Sequence, residues 1–235
     1  MRWIEVDTYQ EMSLKAADCF EQQLLQKPDS VLGLATGGSP IGLYEELVKR
    51  YKQRVFSFSQ VKTFNLDEYV GVSPADVTSY HSYMEEHLFS QVDIEKNDIH
   101  IPNGLAPNLQ EECVRYEQLI LQSGGIDLQL LGIGVNGHIG FNEPGTSFQS
   151  KTHVVTLADD TRAANSIYFP SKQEVPEYAI SMGIETIMQA KEIILLAFGE
   201  QKMRAIERLK QEGISEDFPA SRLKEHPNVT IIYGR

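Results

Sequence analysis

Residues 126–145 read IDLQLLGIGVNGHIGFNEPG, an apolar run that passes straight into a glycine-rich segment. Ile126, Leu128, Leu130 and Leu131 predict a buried strand. Five glycines and Pro144 then fall between 132 and 145, which predicts a shaped loop rather than a helix. That loop carries Asn136, His138 and Glu143. Open α/β sheets place their chemistry where a strand ends in such a loop. A histidine with a carboxylate five residues on, free to fold back on it, makes an acid/base unit. Gly132–Gly137 also satisfies GxGxxG in form, but the dinucleotide fingerprint has to open a helix. Here the chain runs on into Gly140 and Pro144, so no dinucleotide cofactor is expected.

On both sides of this stretch, strand and helix patterns alternate. Trp3–Val6 predicts a short strand, and Thr8-x-x-Glu11 a capping box at a helix start. Met12, Ala16, Phe20 and Leu24 then form one apolar stripe that ends before Pro28. Val31–Leu34 reads as a buried strand, broken by Gly37-Gly38-Ser39-Pro40. A helix follows with Ile41, Tyr44, Leu47, Val48 and Tyr51 on one face. Val61–Leu66 is a further strand, and helices are expected near Ser79–Phe89 and Pro107–Gln122. Beyond the glycine loop, strands at Thr152–Leu157, Ile193–Phe198 and Val229–Tyr233 alternate with helices at Ile184–Ala190 and Glu200–Gln211. This pattern predicts an α/β fold, a single Rossmann-like domain over 1–235 with an open, mainly parallel sheet and helices on both faces.

Two more segments carry candidate chemistry. In Ala35–Pro40, Ser39 suits an N-cap and Pro40 the first helical turn, while the glycines let a ligand approach the backbone. Free N–H groups there attract an anion such as phosphate. The segment lacks the Gly-Lys-Ser/Thr ending of a nucleoside triphosphate loop, and taken alone it reads equally as a tight strand-to-helix turn. In Asn65-Leu66-Asp67-Glu68-Tyr69 the adjacent carboxylates cannot both point into a sheet, so at least one is expected to face the crevice. A carboxylate placed there suits proton abstraction next to a carbonyl or imine, although solvated loop acids are the plainer reading of an isolated pair. His81, His87, His100, His153 and His226 show no metal-ligand spacing and are expected in surface or packing roles.

Composition narrows the partners. The chain has 235 residues, 41% hydrophobic and 23% charged, the profile of a globular protein rather than a disordered one. Its net charge of −12 disfavours nucleic acid and anionic membranes. Cys19 and Cys113 both fall in helix-like patterns and read as thiols of a reducing compartment. No apolar run approaches a membrane span, and Met1-Arg2-Trp3 leads directly into an amphipathic segment, so a cytoplasmic protein without signal peptide is expected.

Taken in order, LATGGSP at 34–40, FNLDEYVG at 64–71 and GIGVNGHIGFNEPG at 132–145 closely resemble the glucosamine-6-phosphate deaminase family. THVVTL at 152–157, DTRAANS at 160–166 and SEDFPAS at 215–221 extend the likeness over the chain. The resemblance implies conversion of glucosamine 6-phosphate and water to fructose 6-phosphate and ammonia, without metal or organic cofactor. It assigns ring-opening proton transfer to His138, with Glu143 and Asn136 holding its ring, and removal of the C2 proton to Asp67. It places the phosphate on Thr36, Gly37, Gly38, Ser39 and Lys202. Two residues depart from the family pattern. Asn136 stands where many members carry Asp, and Ile167 where members often carry a phosphate-binding Arg. The load then falls on Lys202, or Arg162 is drawn in from a neighbouring turn.

Rival readings are a 6-phosphogluconolactonase-like hydrolase, which has no use for a C2-proton base, and a non-catalytic sugar-phosphate sensor. The sensors of this kind are fused to DNA-binding modules, and Trp3–Val6 begins too early to leave room for one. Some longer members are hexamers activated through basic residues at a subunit interface, where this chain has His153 and Val155, and through a C-terminal extension beyond the last strand. With the chain ending at Arg235, a monomer or small homo-oligomer without allosteric activation is expected.

Overall fold

Four consecutive buried residues in Val31–Leu34, and six in Val229–Gly234, form strands that need covering on both faces. The computed structural model describes residues 1–169 and 171–235. Its elements in order are β1 (Arg2–Glu5), α1 (Tyr9–Gln26), β2 (Val31–Leu34), α2 (Ile41–Lys52), β3 (Lys62–Asn65), β4 (Asp67–Tyr69), α3 (Tyr80–His87) and β5 (Ile99–His100). There follow α4 (Leu109–Gln122), β6 (Leu128–Gly132), β7 (His153–Thr156), α5 (Asp159–Asn165) and β8 (Tyr178–Ser181). The chain closes with α6 (Ile184–Met188), β9 (Glu192–Phe198), α7 (Glu200–Gln211) and β10 (Val229–Gly234).

Seven strands form one parallel sheet in the order β1-β10-β9-β6-β2-β3-β5. From β2 the chain steps outward through β3 to β5, and from β6 it steps the other way through β9 to β10. The order therefore reverses between β2 and β6, which pair through Leu32 with Leu128 and Gly33 with Gln129. A crevice opens at such a switch point, beyond the carboxyl ends of the two strands. The segments that leave those ends are Ala35–Pro40 and the glycine loop after Gly132.

The helices form for the expected reasons. Thr8 caps α1, its side chain accepting the Glu11 N–H at 3.0 Å, and the stripe Met12, Ala16, Phe20 and Leu24 is buried. The glycine loop opens no helix, as its glycines and Pro144 require. Among the described residues, no helix is long and apolar enough to cross a membrane.

Three expectations are corrected, and three short elements are added. Asp67–Tyr69 is a strand rather than a loop, and it belongs to a second sheet, three-stranded and antiparallel, in the order β4-β8-β7. The Thr152–Leu157 segment supplies β7 to that small sheet and not to the parallel one. Strands β5 and β8 and helix α5 escaped the sequence reading, being short elements without an apolar repeat. Ser39 does not cap α2: Pro40 occupies that position, and no side chain bonds there.

Candidate active site

Both segments at the switch point line one cleft of about 370 Å³, within the size range of small-molecule sites. Asp67, His138, Asn136, Thr36–Ser39 and Lys202 all line it. Glu143 stands directly behind His138.

Asp67 reaches the cleft because β4 leaves β3 through Leu66 and pairs with β8, setting Asp67 opposite Ser181. Leu66 itself is tied on both sides, its N–H to the Leu34 carbonyl and its carbonyl to the Met182 N–H. The base of the cleft is therefore stitched to both sheets. Asp67 is 6% exposed. Burial, and secondarily the charge of the neighbouring Glu68, push its carboxyl up to about 8. Among the described residues no hydrogen bond offsets that burial.

The glycine loop folds back so that His138 Nδ1 faces Glu143 Oε2 at 3.6 Å, an ion-pair separation rather than a hydrogen bond. Asn136 joins the two residues: its Nδ2 donates to Glu143 Oε2 at 2.7 Å, and its Oδ1 accepts the His138 N–H at 3.2 Å. Thr161 of α5 donates its hydroxyl to the other oxygen, Glu143 Oε1. Burial alone would raise the Glu143 carboxyl. His138, Thr161 and Asn136 outweigh it and hold the group down at about 2. Gly134 makes the ring position possible, since a Cβ there would lie 2.3 Å from His138 Cε1.

Loop 36–39 is shaped by three tyrosines. Tyr44 donates to the Ala35 carbonyl at 2.5 Å, Tyr83 to Gly37 at 2.7 Å, and Tyr9 to Gly38 at 3.0 Å. Within a planar peptide the C=O and the next N–H point opposite ways, so these bonds also aim the N–H groups of Thr36, Gly38 and Ser39. Gly37 takes φ +93°, a conformation that favours glycine. Among the described residues the N–H groups of 36–39 form no hydrogen bond within the chain, which leaves them able to receive an anion. Lys202 reaches the same cleft from α7 and donates to the Ile133 carbonyl at 2.6 Å. Burial lowers the affinity of its amine for a proton.

The segments singled out in the sequence meet in one cleft, while the residues that support them were not foreseen in that role. Thr161 and Glu68 lie in the motifs DTRAANS and FNLDEYVG, but their supporting contacts, like those of the three tyrosines, cross the fold and leave no local signal. Arg162 does not stand in for the absent Arg at Ile167. Its Nη2 donates to the Val175 carbonyl at 2.9 Å and it lies off the cleft, while Ile167 is 77% exposed.

A buried carboxyl on one wall, a histidine–carboxylate pair on another and free backbone donors beside a lysine describe an α/β enzyme that moves protons on a small anionic molecule. More narrowly, the chain belongs to the family of glucosamine-6-phosphate isomerases/6-phosphogluconolactonase, whose model matches residues 5–232. It is 59% identical over 234 residues to the glucosamine-6-phosphate deaminase of Lysinibacillus sphaericus (strain C3-41), covering 100% of this chain and 99% of that one. With the deaminase of Shouchella clausii (strain KSM-K16) it shares 56% over 232 residues, 99% of this chain and 94% of the relative. A solved structure of a monomeric glucosamine-6-phosphate deaminase superposes with a TM-score of 0.98 at 51% identity, covering 100% of this chain and 98% of that one. A 6-phosphogluconolactonase from Thermotoga maritima superposes at 0.79 with 19% identity over 100% and 99% of the two chains, a likeness of fold alone.

Proposed function

We propose that this chain, as one domain over 1–235, is a glucosamine-6-phosphate deaminase, converting glucosamine 6-phosphate and water to fructose 6-phosphate and ammonia. The observation that carries this reading is that Asp67 and the His138–Glu143 pair line or back the same cleft as the backbone N–H groups of 36–39, which no group of the described chain engages. A lactone hydrolase needs one proton-transfer group and an anion cradle. The second, buried carboxyl of Asp67 is what enolisation adds to that set.

In this reading the phosphate sits on the N–H groups of Thr36–Ser39. Its charge draws the Lys202 amine from the Ile133 carbonyl and favours its charged form, against the burial that disfavours it. Glu143, ionised throughout the working range, faces Nδ1 of His138 and leaves Nε2 to the substrate. His138 takes the C1 hydroxyl proton and returns a proton to the ring oxygen, opening the pyranose. The imidazolium formed between these steps is stabilised by Glu143, while Asn136 and Thr161 fix that carboxylate.

Asp67 then takes the C2 proton, giving an enolamine, and delivers a proton to C1. The resulting ketimine adds water and expels ammonia. A base has to be ionised, and a buried carboxyl with a value of about 8 is mostly protonated at neutral pH. The cationic amino group of the substrate supplies the missing counter-charge next to it. Binding and ionisation of the base are thus coupled.

The high likeness to a monomeric relative supports a monomer or small assembly without hexameric allostery, acting on a small amino-sugar phosphate rather than on nucleic acid. Release of ammonia together with fructose 6-phosphate, measured by coupled assay, tests the activity. Absence of both products, with hydrolysis of 6-phosphogluconolactone instead, would overturn it.

A further inference from the structure

Glu68 takes no part in either proton step, yet it is 2% exposed and saturated with hydrogen bonds. Its Oε1 accepts the N–H of Tyr69 at 2.9 Å and of Tyr80 at 3.1 Å. Its Oε2 accepts the His81 N–H at 3.1 Å and faces His81 Nδ1 at 3.0 Å. A carboxylate buried without such partners would cost several kcal/mol. The Tyr69 N–H belongs to β4 itself; the other partners, Tyr80 and His81, are the first turn of α3.

Ser79 completes that turn. Its Oγ accepts the Ser82 N–H at 3.0 Å and its carbonyl the Tyr83 N–H at 3.1 Å. The anion slot that a helix N-terminus offers is therefore already filled by Glu68, which leaves loop 36–39 as the cradle facing the cleft. Anchored this way, α3 presents two tyrosines to the site. Tyr80 stacks on Phe141 at 6.3 Å and 18°, and Tyr83 bonds the Gly37 carbonyl.

We infer that Glu68 is a positioning residue for the reaction proposed above: by clamping α3 to β4 it sets Tyr83 against Gly37 and so holds the phosphate loop in its binding shape. The inference rests on that reaction for its kinetic readout, while its structural part is independent of it. Glu68 has a second effect through charge. Asp67 is faced by Glu68 and Tyr69 from its own strand and by Tyr80 of α3 and Tyr116 of α4, and it shares the cleft with His138 and Lys202. Of these, Glu68 raises the Asp67 carboxyl. Reach and charge are separable by substitution.

Glu68→Asp keeps the charge but falls one methylene short of α3. It should speed amide hydrogen exchange at Tyr80 and His81, and weaken inorganic phosphate about tenfold, the scale of one lost charge-assisted hydrogen bond. It should raise KM for glucosamine 6-phosphate by a similar factor and leave the acid limb of kcat/KM in place. Glu68→Gln should raise KM in the same way and also move that limb to lower pH. Tyr83→Phe, which removes one hydroxyl and leaves the clamp intact, should raise KM by about the same tenfold. Wild-type KM and phosphate affinity in Glu68→Asp despite fast exchange at Tyr80 and His81 would overturn the inference, as would wild-type KM in Tyr83→Phe. If the wild-type chain released no ammonia, the proposed reaction would fall, and phosphate affinity and amide exchange would still decide the clamp.

Discussion

Replacing Asp67 by Asn should make the protein more stable and less active at once. In the fold its carboxyl keeps its proton up to about pH 8, whereas the unfolded chain releases it near the ordinary 3.8. Between those values the folded state binds more protons than the unfolded state, so wild-type stability falls as pH rises. The slope is about 1.4 kcal/mol per pH unit, and the full window is worth about 6 kcal/mol. Asn carries no such titration. Its advantage should therefore be small near pH 4, grow through the window and level off above pH 8. For a chain of this size each kcal/mol moves Tm by about 2–4 °C. Thermal denaturation of both proteins between pH 5 and pH 8 should show the gap widening by about 10 °C. The same substitution should cost at least ~10²-fold in turnover, as removal of a positioned acid/base group does. A Tm difference that stays constant over this range would refute the assignment of a buried, protonated Asp67.

Other outcomes follow from the same geometry. Glu143→Gln should lower stability at neutral pH by about 3 kcal/mol, the value of a carboxyl held at about 2 instead of 4.5, and the deficit should vanish as pH falls from 4.5 toward 2 in denaturation experiments. Gly134→Ala places a Cβ 2.3 Å from the His138 ring and should cut kcat about 10²-fold with an unchanged circular dichroism spectrum. Lys202→Ala should raise KM more than it lowers kcat in steady-state kinetics, because a phosphate contact is shared by ground and transition states.

The parallel sheet was legible because its strands are uninterrupted apolar runs: Val31–Leu34 and Ile193–Phe198 have no other economical reading. The small sheet was not. β4 is Asp-Glu-Tyr, a strand whose residues resemble a polar turn, and its partner β8 lies far along the chain. Their pairing aims Asp67, and with α3 it buries Glu68. The site shows the same division. Asn136, His138 and Glu143 share one loop, so their spacing alone announces a unit. Thr161 reaches Glu143 from α5, and Tyr9, Tyr44 and Tyr83 reach loop 36–39 from three helices, contacts that only the completed fold creates. Ser39 was misjudged because a serine before a helix suits capping locally, whereas here Pro40 takes that position.

The central claim is that Asp67 removes the proton at C2. Glucosamine 6-phosphate carrying deuterium at C2, incubated with wild-type protein and with Asp67→Asn in ordinary water and followed by NMR, tests it directly. Wild type should lose the deuterium as fructose 6-phosphate forms. The variant should bind the sugar phosphate with near wild-type affinity and leave the C2 deuterium in place. Wash-out of that deuterium by Asp67→Asn at a rate near wild type would contradict the account.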